Sequence, residues 1–152
     1  MSDSGGEDRN RIVVGIDGSD GSKHALRWAV RQAGFTGARL EAVVGWQYPA
    51  FFGLGPVGID DVDFGKVAEQ TLTETLDEVL GADRPGGLVT RVEAEHPAVA
   101  LVEASRDAEL LVVGSRGYGG LADALLGSVS TYCVHHAHCP VTVIRPSAHG
   151  HR

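Results

Sequence analysis

Short apolar runs alternate with longer segments patterned at helical spacing along residues 11–146, and this alternation limits the folds open to the chain. The runs are residues 11–17, 39–46, 88–95, 109–114 and 141–144. The first, second and fourth are nearly continuous in apolar residues, as expected of strands buried on both faces. The third, LVTRVEAE, alternates apolar with polar residues, which suits a strand at a sheet edge. A parallel neighbour needs a crossover long enough for a helix, so strands alternating with helices predict a mostly parallel sheet. Helices on both of its faces make a three-layer α/β/α sandwich.

The segments between the runs carry helical signatures. Ala25, Leu26, Ala29, Val30 and Ala33 form one apolar stripe, with Lys23, Arg27 and Arg31 read as facing away. Ala68, Leu72, Leu76 and Leu80 recur every four residues up to Gly81. Pro97 suits a helix's first turn, and Ala98, Leu101, Val102 and Ser105 continue that helix. A fourth helix is expected to open near Ser128 and to end before Cys139-Pro140. Residues 1–10 and 147–152 read as solvated tails around a single domain, 11–146. Residues 47–61 (QYPAFFGLGPVGIDD) form the one long irregular segment, and their Pro, Gly and aromatic content suggests a flap.

Composition narrows the function. The chain has 152 residues and a net charge of -7, with two lysines, Lys23 and Lys66, and no basic run. That balance argues against nucleic acid as a partner. No apolar stretch approaches the roughly 18 residues of a membrane span. The polar, acidic first ten residues do not resemble a secretory leader, and Cys133 and Cys139 are too few for a disulfide framework. The cytoplasm is the expected compartment.

The segment with the clearest chemistry is LLVVGSRGYGGLADALLGSVS, residues 110–130. A buried strand ends at Gly114, Gly117 follows in a glycine-rich loop, and nine residues on Gly127-Ser128 opens a helix. Glycine lets backbone approach an anion closely and tolerates positive φ. A helix start presents free N–H groups and the positive end of a dipole. Ser128 adds a hydroxyl donor. The combination predicts a phosphate site, against the alternative of a loop that merely reverses the chain.

Three segments make the chain resemble the universal stress proteins: IVVGIDGSDGSKHALRWA, ELLVVGSRGYGGLADALLGSVS and HHAHCPVTVIRP. The likeness covers nearly everything from Arg11 to Pro146. The glycine spacing is that family's ATP-binding signature, complete here. The resemblance implies a Rossmann-like fold whose five-stranded parallel sheet has the order 3-2-1-4-5. Strands one and four then flank the topological switch point, where open α/β sheets bind ligands. It also implies ATP as ligand, with Mg²⁺ as a companion. Asp17 matches the acid that meets the ribose, and Gly45 a position whose backbone meets adenine. Val113, Gly114, Gly117, Gly127, Ser128, Val129 and Ser130 match positions around the ribose and phosphates. Gly45 stands where relatives carry Ala or Val, so a roomier adenine pocket is expected. The last strand, Val141, Thr142, Val143 and Ile144, is short and apolar, and by the same resemblance it pairs with its copy in a homodimer.

Other clusters read as structural. In DGSDGS (residues 17–22) the glycines fit neither a dinucleotide fingerprint nor a P-loop, and Ser19, Asp20 and Ser22 suit helix capping. Asp17 is read as unnecessary to that cap. Cys133, His135, His136, His138 and Cys139 mimic a metal cluster, but their spacing does not converge on one point. Trp28 and Trp46 read as packing residues, Trp46 near the adenine position. Tyr48, Phe51 and Phe52 suit a lid, a surface for an unidentified protein partner, or a loop anchored by its own aromatics. The functional expectation is an ATP-binding stress-response regulator, a nucleotide-dependent dimeric switch. The competing reading is a slow ATPase or phosphotransferase, for which the loop lacks an obvious base and offers only Asp17 and Asp123 as acids. A receiver domain or a PP-loop enzyme would need residues this chain lacks.

Overall fold

The computed structural model describes residues 10–47, 63–116 and 126–146. Gly117, Asp123, Tyr48, Phe51, Phe52, nearly all of the 47–61 segment and most of both expected tails lie outside them. Five strands, β1 (Arg11–Gly15), β2 (Arg39–Gly45), β3 (Val89–Glu93), β4 (Leu110–Gly114) and β5 (Val141–Ile144), alternate with four helices. The helices are α1 (Asp20–Thr36), α2 (Phe64–Leu80), α3 (Pro97–Ala104) and α4 (Ser128–His136). All the pairings are parallel, and the sheet order is β3-β2-β1-β4-β5. The expected three-layer α/β/α architecture and strand order are therefore what the chain adopts.

Strand periodicity divides the core. Ile12, Val14, Leu40, Ala42, Val44 and Val112 point one way, against Leu26 and Ala29 of α1 and Leu72 and Leu76 of α2. Val13, Val43, Leu111 and Val113 point the other way, against Leu101 and Val102 of α3 and Cys133 of α4. Central strands covered on both faces need no polar alternation, which is why their sequences are almost uniformly apolar. β3 is exposed over its first three residues, as its alternating sequence predicted for an edge.

Helix ends follow local chemistry. Ser19 caps α1, its side chain accepting from the Ser22 N–H, and Gly37 closes the helix at φ 78°, its N–H donating to the Ala33 carbonyl at 2.8 Å. Asp63 caps α2, and Gly81 ends it. Pro97 occupies the first turn of α3 as expected, but the cap is His96, whose Nδ1 accepts from the Ala98 N–H at 3.0 Å. That role was not anticipated. Nor does Lys23 face away from the fold: its Nζ lies 2.9 Å from Glu78 of α2, tying the two helices on that side of the sheet.

One buried charge interrupts the apolar strands. Glu41 of β2 is 4% exposed. Arg11 Nη1 donates to its Oε1 at 3.1 Å, and Arg91 Nε lies 2.7 Å from Oε2, off hydrogen-bond alignment. Arg11 also donates to the Ala104 and Arg106 carbonyls, each at 2.9 Å, joining β1 to the end of α3.

Candidate functional site

The carboxyl ends of β1, β2 and β4 open into a cleft of about 390 Å³ between the starts of α1, α3 and α4. Its walls include Asp17, Gly45, Val113, Gly114, Gly127, Ser128, Val129 and Ser130. Every expected site residue within the described chain thus meets in one place; Gly117 is not among the described residues. Pro97 and Leu101 of α3, Val43 of β2, and Leu126 and Arg116 also line it and were not foreseen. Pro97 sits at a helix start just after a strand, and that signal could have placed it at this end of the sheet.

The wall at α4 is built through Ser115. Its N–H donates to the Ile144 carbonyl at 2.9 Å, fixing it to β5. Its carbonyl accepts from the Gly127 N–H at 2.6 Å and from Ser130 Oγ at 2.9 Å. The end of β4 and the first turn of α4 are thereby clamped together. Gly127 is the N-cap of α4 and offers no side-chain cap, so among the described residues no side chain caps the helix start that faces the cleft. Gly127 has φ -72° and ψ 171°, ordinary extended backbone, so no left-handed conformation requires glycine there.

The opposite wall is built through Asp17. Its Oδ1 accepts from the Ser19 N–H at 2.8 Å and from Ser19 Oγ at 2.5 Å, while Ser22 Oγ accepts from the Asp17 N–H. Asp17 therefore does support the α1 cap, contrary to the sequence reading, because Gly18 at φ 83° folds the carboxylate back over Ser19. The Oδ2 atom takes no hydrogen bond among the described residues, and the side chain is exposed to the cleft. Ser19 and Ser22 both cap the helix and line the cleft.

Two glycines of the cleft also have a packing role that was not expected. A Cβ on Gly45 would lie 2.7 Å from the Glu95 carbonyl and from Pro97 Cα, so the approaching backbone before α3 fills that space. The absent side chain admits α3 and does not enlarge the pocket. At Gly114 a Cβ would lie 2.8 Å from the Gly21 carbonyl group, and one on Gly21 would lie 2.5 Å from the Arg116 oxygen. Here glycine lets α1 seat its first turn directly on the end of β4.

The remaining sequence candidates lie elsewhere. Trp46 packs on the α1/α2 side of the sheet against Gly65 and does not line the cleft; Trp28 joins the same core. Cys133 is fully buried among the α3/α4-side residues, and burial pushes its thiol up to about 11. Burial also raises Cys139, partly offset by Arg11. His136 stacks on Tyr132 with ring centroids 4.3 Å apart. Among the described residues no group of three or more His, Cys, Asp or Glu is placed to hold a metal ion. No helix there is long and apolar enough to cross a membrane.

Such a cleft, at the carboxyl ends where strand order reverses, defines the class of open α/β domains that take a ligand at the topological switch point. Within that class the chain belongs to the universal stress protein family, whose profile matches residues 8–145. The universal stress protein Rv2624c of Mycobacterium tuberculosis is 36% identical over 148 residues, 95% of this chain and 52% of the relative. A second protein of that organism, Rv2005c, is 37% identical over 139 residues, 90% of this chain and 45% of its own length. The chain thus spans about half the length of these curated relatives. Among solved structures, universal stress protein UspA from Lactobacillus plantarum superposes with a TM-score of 0.73 at 22% identity, covering 90% of this chain and 98% of that one. A universal stress protein in complex with cAMP gives 0.64 at 29% identity, covering 90% and 97%.

Proposed function

We propose that this chain binds an adenine nucleotide, ATP, in the switch-point cleft, and that occupancy regulates a cytoplasmic homodimer paired through β5. The observation that carries the reading is the convergence of Asp17, Gly45, Gly114 and the α4 start on one cleft. Its volume of about 390 Å³ falls within the range of small-molecule sites. The apolar part, Val43, Pro97 and Leu101, suits the face of a purine. The N–H groups opening α4 suit a phosphate, and the Asp17 carboxylate suits ribose hydroxyls. A bound nucleotide would bring phosphate oxygens for Mg²⁺, to which Asp17 Oδ2 could add a ligand. The structural relative complexed with cAMP carries the same ligand chemistry.

Regulation is preferred to turnover because Asp17 is the one carboxylate among the described lining residues, and one of its oxygens already serves Ser19. Thermal melting tests the reading. Ligand at a hundred times its dissociation constant adds about 2.7 kcal/mol, or roughly 5–10 °C for a domain of this size. ATP should produce that rise and GTP a smaller one, and Asp17→Ala or Gly127→Val should reduce it. A wild-type melt unmoved by millimolar ATP refutes the proposal, and steady phosphate release lost in Asp17→Ala would favour the enzyme.

A further inference from the structure

Arg116 is the one cationic residue among the described residues that line the cleft. No other Lys or Arg stands between Arg106 and Arg145, and none between Arg39 and Lys66. The connections from β4 to α4 and from β2 to α2 carry no other Lys or Arg, and Lys23 and Lys66 near the starts of α1 and α2 and Arg145 after β5 are not among the residues lining the cleft. The backbone holds Arg116 firmly. Its neighbour Ser115 is bonded to β5 and to the start of α4, and its own carbonyl is pressed against Gly21. Arg116, half-buried, thus lines the cleft from a fixed backbone position, on the same wall as the α4 N–H groups.

We infer that Arg116 is the residue by which the cleft distinguishes nucleotides by phosphate number, favouring the triphosphate over the monophosphate. This rests on the adenine-nucleotide reading above. The α4 start acts only over its first turn, so it serves the nearest phosphate, which mono-, di- and triphosphates share. Charge added beyond that phosphate has to be matched by something else in an acidic protein. A guanidinium offers a planar fork of donors suited to phosphate oxygens.

The test is calorimetry with ATP, ADP and AMP, in excess chelator, on the wild type, Arg116→Gln and Arg116→Lys. Losing a charge-assisted contact predicts that Arg116→Gln weakens ATP about tenfold to a hundredfold while AMP moves less than about twofold. Arg116→Lys, which keeps the charge without the fork, should lie between. Equal losses for ATP and AMP, or no loss for either, overturn the assignment while leaving nucleotide binding intact. A wild type that binds none of the three overturns the cleft reading and this one with it. Should Arg116→Gln melt before titration, the salt dependence of the wild type decides. ATP affinity must then fall more steeply with salt than AMP affinity, and equal slopes count against Arg116.

Discussion

Gly114→Ala should damage the fold before it touches any ligand. The new methyl would lie 2.8 Å from both the carbonyl carbon and oxygen of Gly21. Neither can swing aside as a side-chain end would, because Gly21 belongs to the first turn of α1 and that turn is held by Asp17, Ser19 and Ser22. Either α1 lifts from the sheet or β4 bends, and overpacking of this kind costs about 1–3 kcal/mol. At roughly 2–4 °C per kcal/mol for a domain of this length, the ligand-free melting temperature should fall by about 2–12 °C. Gly34→Ala is the internal control. It lies in the exposed part of α1 with nothing within 4 Å of the added Cβ, so it should gain about 0.5–1 kcal/mol. Circular dichroism melts of both variants without nucleotide measure the contrast. If Gly114→Ala melts with the wild type and fails only in binding ATP, the contact with Gly21 is not what requires glycine.

Two further outcomes are expected. Cys133 is neutral when protonated and burial raises its thiol from 9.0 to about 11, so its contribution to stability is intact below pH 9.0 and fades as pH climbs towards 11; denaturant titrations across that window should show the loss, Cys133→Ala should flatten it, and an equal loss in that variant would assign it elsewhere. Val143→Pro removes a backbone donor from the edge strand β5, so light scattering should find a dimer for the wild type and monomer or aggregate for the variant; a wild-type monomer at tens of micromolar rules out the β5 dimer.

The layers of this fold could be read from residue order because both periodicities are local: ValVal pairs in β1 and β4, four-residue spacing in α2. The strand order needed the family resemblance, since nothing in β3 states that β2 lies beside it. At the site, the α4 start and Asp17 were legible as chemical types. The contribution of Leu101 was not, because it reaches the cleft by the way α3 crosses the sheet. The same limit hid the packing role of two glycines. Gly45 and Gly114 look like ligand-approach positions in the chain, and only tertiary packing shows that Pro97 and Gly21 occupy the space beside them. Lys23 failed for a related reason: its partner Glu78 is more than fifty residues away.

Glu41 has a consequence for how the sheet assembles. A strand apolar on both faces can slide by one residue at little hydrophobic cost, since every position presents something greasy to either side. β2 would be such a strand without its carboxylate. In the native pairing Glu41 stands beside Val13 and Val89, within reach of Arg11 and Arg91. A one-residue slip turns it over, into the layer of Ile12, Leu40 and Leu26, where no arginine follows. An unpaired charge there is costly enough to reject the slipped pairing outright. The carboxylate thus works as a tooth in a ratchet, adding little to the strength of the sheet and much to the certainty of its alignment.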